Sequence, residues 1–74
     1  MEKYHVLVVE DDKEIRDGIE IYLKSQGYEV FKAADGIEGL EIIYREEIHL
    51  AIVDVMMPRK AKPKQMLMLN IFLR

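Results

Sequence analysis

Three carboxylates follow two short apolar segments of this chain, and their placement could support metal chemistry. Glu10 and Asp11 follow the run at 5–9, and Asp54 follows the run at 48–53. Short β-branched runs without polar alternation are typical of strands that are buried on both faces of a sheet. Acids after such strands lie at the carboxyl edge of a parallel sheet, where open α/β folds bind ligands. Converging carboxylates repel one another, which favours a hard cation with oxygen ligands, Mg²⁺ above all.

The segments around these strands predict the rest of the fold. Residues 13–26 and 35–46 have apolar residues at helical spacing, and residues 28–33 are predicted to form the second strand between them. Asp11 or Asp12 can cap the first helix, and Asp35 the second. The order βαβαβ predicts an α/β fold with a flavodoxin-like, doubly wound parallel sheet, in which the first strand lies between the other two.

Each predicted helix has one apolar face that should pack on the sheet. The two inward faces are predicted to consist of Ile15, Ile19, Tyr22 and Leu23 in the first helix, and of Ile37, Leu40, Ile43 and Tyr44 in the second.

Composition excludes several classes of protein. The 74 residues, of which 50% are hydrophobic and 34% charged, fit one globular domain. The chain has no cysteine, which excludes disulfides and thiolate metal sites. Because no segment resembles a signal peptide or approaches membrane-spanning length, we expect a cytoplasmic protein with no membrane partner.

The charge is divided unevenly along the chain. Residues 1–58 hold all 14 acids and a net charge of −8, whereas residues 59–74 hold five basic residues and no acid. A basic arm could bind nucleic acid. Four charges before an apolar run are a poor phosphate footprint, so we expect no nucleic-acid partner and a tail that is foreign to the fold.

Four motifs occur together in this chain. They are Val6-Leu7-Val8-Val9-Glu10-Asp11-Asp12, Gly27-Tyr28-Glu29-Val30, Ala34-Asp35-Gly36 with Gly39-Leu40, and Val53-Asp54-Val55-Met56-Met57-Pro58. Together they resemble the receiver domain of bacterial response regulators, the phospho-accepting part of two-component systems. The combination of an acidic pair after the first strand with D-x-x-M-P after the third is the most specific part of the resemblance, which covers residues 4–59.

The resemblance implies phosphorelay signal transduction rather than an enzyme, with a sensor histidine kinase as the partner. Asp54 matches the phospho-accepting aspartate. Glu10 and Asp11 match the acidic pair that holds Mg²⁺, together with Asp54 and the main-chain carbonyl of Met56. A metal between nucleophile and phosphate neutralises developing charge, so the protein has little covalent chemistry to perform.

The resemblance ends after Arg59. We therefore divide the chain into a partial receiver domain, 1–59, and a tail, 60–74, that is basic and then apolar. The family's later strands, which end in Thr or Ser and in Lys, and an output domain cannot be placed, so we expect impaired switching. Met and Leu favour a helix for the apolar part of the tail, with a strand paired to the third strand as the alternative. An exposed third strand and an apolar tail predict a homo-oligomer.

Two other functions stay open from the sequence. The chain could be a non-catalytic interaction fragment that binds a histidine kinase or another receiver without switching. It could also be a metal-dependent phosphatase with an aspartate nucleophile. That class usually needs a second acid two residues after the nucleophile, where this chain has Met56.

Overall fold

The predicted α/β order is present, with one further strand. A computed structural model describes residues 3–54 and 69–73. Its elements are β1 (His5–Val9), α1 (Lys13–Ser25), β2 (Glu29–Ala33), α2 (Gly36–Arg45), β3 (Leu50–Asp54) and β4 (Leu69–Leu73). Within the described ranges, neither helix has the length and apolar content needed to cross a membrane.

The sheet has the order β2-β1-β3-β4, and β1 runs parallel to both of its neighbours. The predicted placement of the first strand between the second and third is therefore confirmed. Val6 and Val8 pack with Leu23 of α1 on one face, while Leu7 and Val9 pack with Ile42 of α2 on the other. Burial on both faces explains why this strand is apolar at every position from Val6 to Val9 rather than alternating.

The N-cap of α1 is Asp12, whose Oδ1 accepts a hydrogen bond from the Ile15 N–H at 3.0 Å. Of the two capping residues that the sequence allows, the structure selects this one. Leu23 is buried as predicted, but Tyr22 is 63% exposed, so its predicted inward position is wrong.

Of the residues predicted to face inward on helix α2, only Ile43 packs against the core. Ile37, Leu40 and Tyr44 are 72%, 53% and 85% exposed, whereas Gly39 and Ile42 are buried. A Cβ atom at position 39 would lie 3.0 Å from Val9 Cγ2, so the glycine lets the helix approach β1 closely. Close backbone approach through a small residue, rather than the largest apolar side chains, therefore determines which face packs on the sheet.

The apolar end of the tail forms a strand over Leu69–Leu73, so the helix favoured from the sequence is wrong for these residues. β4 runs antiparallel to β3, from the pair Asp54↔Leu69 to the pair Leu50↔Leu73. Pairing with the backbone groups at the edge of β3 overrides the weak local preference for a helix. The expected exposed edge of the third strand is consequently covered. Residues 60–68 of the predicted tail lie outside the described residues.

Candidate metal centre

The carboxyl ends of β1 and β3 lie side by side and bring the predicted acidic residues together. Val9 pairs with Val53, so the next residues, Glu10 and Asp54, lie side by side at the same edge of the sheet. One carboxylate oxygen from each of Glu10, Asp11 and Asp54 lies within 4.8 Å of the other two. Residues 44 positions apart in the chain thus form one cluster because parallel strands end at a common edge.

The cluster is buried on one side and open on the other. Glu10 and Asp54 are each 1% exposed, while Asp11 is exposed. Burying ionised carboxylates is expensive unless other groups or a cation compensate their charge. The two buried acids therefore form the floor of the centre, and Asp11 forms its solvent side, where a ligand could enter.

Hydrogen bonds hold the loop that carries Glu10 and Asp11. The Glu10 N–H donates to Ala33 O at 3.0 Å, which continues the sheet one residue past β1. The Asp12 N–H donates to Glu10 Oε2 at 2.9 Å, and Arg16 Nη1 donates to Glu10 O at 2.8 Å. The Glu10 side chain is thus oriented by the backbone of its own loop before any ligand binds.

The donor set fits Mg²⁺. All three side chains offer carboxylate oxygens, which are the ligands that Mg²⁺ prefers, and the described cluster contains no imidazole that would favour zinc. Mg²⁺ is usually held by one or two carboxylates while it keeps several waters. The exposed Asp11 is the member of the cluster that solvent water can reach.

Asp12 caps α1 and is not part of the acidic cluster. Met56 lies outside the described residues. The contact of Arg16 with the Glu10 carbonyl was missed at the sequence level, because a side chain on the first turn of a helix gives no sequence signal about which loop carbonyl it reaches.

The strands β1, β2 and β3 form a parallel, doubly wound sheet with carboxylates at the switch point between β1 and β3. This arrangement defines a class of α/β domain with a candidate cation site at the carboxyl edge of its sheet. Comparison with protein families narrows this class. The family model of the response regulator receiver domain matches residues 6–61, and the chain belongs to this family.

Two curated relatives are similar to most of the chain. Regulatory protein VanR of Enterococcus faecium is 49% identical over 53 residues, which cover 72% of this chain and 23% of that protein. Response regulator RR06 of Streptococcus pneumoniae is 46% identical over 57 residues, which cover 77% of this chain and 26% of that protein. The chain therefore spans about a quarter of the length of these relatives. No solved structure matches it significantly.

Membership of this family establishes the general kind of protein. Receiver domains of response regulators are the signalling modules of two-component systems and are in general not enzymes. As a class they interact with sensor histidine kinases and bind Mg²⁺ at an acidic pocket. Among its described residues, this chain has an acidic cluster made of Glu10, Asp11 and Asp54.

Proposed function

We propose that the chain is a Mg²⁺-dependent receiver domain in which Asp54 accepts a phosphoryl group. One observation carries the proposal. Asp54 ends β3 directly beside the end of β1, with a carboxylate oxygen within 4.8 Å of those of Glu10 and Asp11. An aspartate nucleophile needs neighbours that can hold a cation, and this arrangement supplies two of them.

Asp54 acts as the nucleophile in this proposal. One of its oxygens forms a bond to phosphorus while the bond from phosphorus to the donor nitrogen of a phosphohistidine breaks. The electron pair of that bond goes to the nitrogen, and the product is an acyl phosphate on Asp54. Because phosphoryl transfer is governed by positioning and charge, the buried end of β3 is a suitable rigid place for the nucleophile.

Glu10 and Asp11 hold the cation. When bound, Mg²⁺ would neutralise the negative charge that develops as carboxylate and phosphoryl oxygens approach each other. Glu10 is fixed by the Asp12 N–H at 2.9 Å, so its carboxylate needs little rearrangement on binding. Asp11, on the solvent side, offers its oxygens where the phosphodonor must enter. We also propose that the Met56 main-chain carbonyl completes the protein ligands, as the family resemblance implies.

The proposed context is a cytoplasmic phosphorelay with a sensor histidine kinase as the phosphodonor. Both curated relatives carry names of regulatory proteins, which supports a role in signal transduction. Within this proposal residues 1–59 form a partial receiver domain, and residues 60–74 form a tail that departs from the family pattern.

The tail also supports a proposal of self-association. β4 is the last strand in the order β2-β1-β3-β4, so a second copy could pair with its outer edge. We expect light scattering coupled to size exclusion to show a dimer or larger species. A monodisperse monomer across the accessible concentration range would contradict this part of the proposal.

A non-catalytic interaction module is the second candidate function. The exposed apolar side chains of α2, Ile37, Leu40 and Tyr44, favour it, because exposed apolar patches often mark protein contacts. This candidate predicts binding to a kinase or receiver partner with no phosphoryl transfer to Asp54.

Intact-mass measurement after incubation with a small phosphodonor separates the two candidates. With Mg²⁺ we expect one added phosphoryl group on the full chain, lost in Asp54→Asn and lost when EDTA removes the metal. Asp12→Asn is the matched control. It removes an acid next to the cluster without changing the cluster itself, and asparagine can still cap α1. Modification that persists in Asp54→Asn, or that is absent from the wild-type chain, would contradict the proposed function.

A further inference from the structure

We propose that Arg16 is a positioning residue for the acidic pocket, which holds the main chain of Glu10 so that the Glu10 and Asp11 carboxylates face Asp54. The proposal deepens the proposed function and rests on it for the identity of the cation. Its basis is a partly buried hydrogen bond of 2.8 Å from Arg16 Nη1 to the Glu10 carbonyl oxygen, six residues back along the chain.

Arg16 holds both ends of the acidic loop at 10–12. Its guanidinium binds the carbonyl of Glu10, and its backbone N–H donates to Asp12 O at 2.8 Å. Asp11 lies between these two anchored residues. The Asp12 N–H returns a bond to Glu10 Oε2 at 2.9 Å, so side chain, loop and helix form one hydrogen-bonded unit.

Arginine suits this position for a physical reason. Glu10 is the first residue after β1, and Arg16 supplies a donor to its carbonyl at this point. A guanidinium has a long stem and several N–H groups in a fixed plane, which lets it reach a carbonyl from the first turn of α1 with defined direction. A lysine ammonium would reach as a point charge with less control of direction.

Two roles for Arg16 predict opposite effects on cation binding. A positive charge near the pocket repels Mg²⁺, so a purely electrostatic role means that removing the charge tightens binding. A positioning role means that removing the guanidinium loosens the loop and weakens binding. Whether Mg²⁺ binding becomes tighter or weaker therefore distinguishes the electrostatic role from the positioning role. A measurement of folding stability alone would not distinguish them.

The first measurement is made without metal. In EDTA, we expect Arg16→Met to increase the hydrogen-exchange rate of the Asp12 amide by at least about fivefold, the ratio typical of one lost hydrogen bond. The control is Lys13→Met, which removes a charge from the same turn of α1, where Lys13 contacts Asp17 rather than the loop. Unchanged exchange at Asp12 in Arg16→Met would overturn the proposal, whether or not the chain binds Mg²⁺.

The second measurement is a Mg²⁺ titration followed by amide NMR shifts. We expect Arg16→Met to weaken Mg²⁺ binding by about tenfold or more, as for other residues that orient metal ligands, and Lys13→Met to leave it unchanged or slightly tighter. Arg16→Lys, which keeps the charge, should fall between wild type and Arg16→Met and covers the case in which Arg16→Met does not fold. Equal or tighter binding in the folded Arg16 variants would overturn the proposal. A wild-type chain that binds no Mg²⁺ would instead contradict the proposed function.

Discussion

The two ends of the β1–β3 strand pair carry opposite chemistry on the same backbone. At the carboxyl end, Glu10 and Asp54 lie with Asp11 in one acidic cluster. At the amino end, the His5 N–H donates to His49 Nδ1 at 2.9 Å, and the His49 N–H donates to His5 O at 2.9 Å. One end gathers like charges, while the other pairs donors with acceptors.

The difference follows from what each side chain can donate. An imidazole has one nitrogen that accepts and one that donates, so His5 and His49 form bonds with their own surroundings, including a 2.6 Å contact from His5 Nδ1 to Glu47 O. An ionised carboxylate only accepts, so three of them cannot bond to one another. The amino end is therefore closed by the protein itself, whereas the carboxyl end is suited to an external cation.

The largest expected effect is at the carboxyl end. Saturating Mg²⁺ should raise the melting temperature of the wild-type chain, since a ligand at about 100 times its Kd stabilises the folded state by about 2.7 kcal/mol. Asp11→Ala removes one of three clustered ligands and should abolish that increase. His49→Asn, at the opposite end, is the matched variant and should keep it. Thermal melts by circular dichroism with and without Mg²⁺ test the contrast.

A second prediction concerns the packing below the acidic pocket. Gly39→Val should lower the free energy of unfolding by about 1–3 kcal/mol, because the added side chain is forced against Val9. Gly18→Ala is the control on the other helix, where a Cβ meets nothing within 4 Å, and it should stabilise by up to about 1 kcal/mol. Chemical denaturation measures both. A neutral Gly39→Val would show that α2 does not pack through this glycine.

The amino end should matter for stability and not for cation binding. His49→Ala removes the acceptor for the His5 N–H and the ring contacts with Tyr4 and His5, and should cost about 1–2 kcal/mol. His49→Asn keeps an acceptor close to the position of Nδ1 and should recover part of that loss. Weaker Mg²⁺ binding in either variant would break the proposed separation between the two ends.

The smallest effect is expected away from both ends of the strand pair, where Lys32 of β2 forms ion pairs with two acids of α1. Its Nζ lies 3.2 Å from Asp17 Oδ1 and 2.9 Å from Glu20 Oε1. Hydrogen bonds from Lys13 and Lys32 lower the pKa of Asp17. Hydrogen bonds from Lys32 and Lys24 lower the pKa of Glu20 below its ordinary value of 4.5. Their stabilisation is therefore present at neutral pH and is lost as the pH falls through the lowered pKa values.

The same partners raise the pKa of Lys32 above 10.5, so its contribution is lost only as the pH rises beyond that value. Lys32→Met should lower the melting temperature slightly at pH 7 and low salt, and the difference should shrink at pH 3 and in high salt. A salt-independent difference would indicate lost packing of the Lys32 stem instead.

The sequence predicts the strand order and the meeting of the three acids because both leave a recognisable pattern in the residues of the strands themselves. Short apolar runs rich in β-branched residues mark β1 and β3, and the acids where these runs end mark the ligand edge. Helix packing is less predictable. The exposed positions of Tyr22 and Tyr44 show that apolar periodicity does not reveal which face approaches closest. The strand at Leu69–Leu73 is only the second choice from the sequence, because pairing with β3, and not local propensity, determines it.

A Mg²⁺ titration of the full wild-type chain, followed by amide NMR shifts, tests the central claim most directly. We expect saturable shifts at residues 10–12 and at Asp54, little change at His5 and His49, and no such response in Asp11→Ala. Shifts of equal size at both ends of the strand pair, no shift at all, or shifts that survive in Asp11→Ala would contradict a cation site at the acidic cluster.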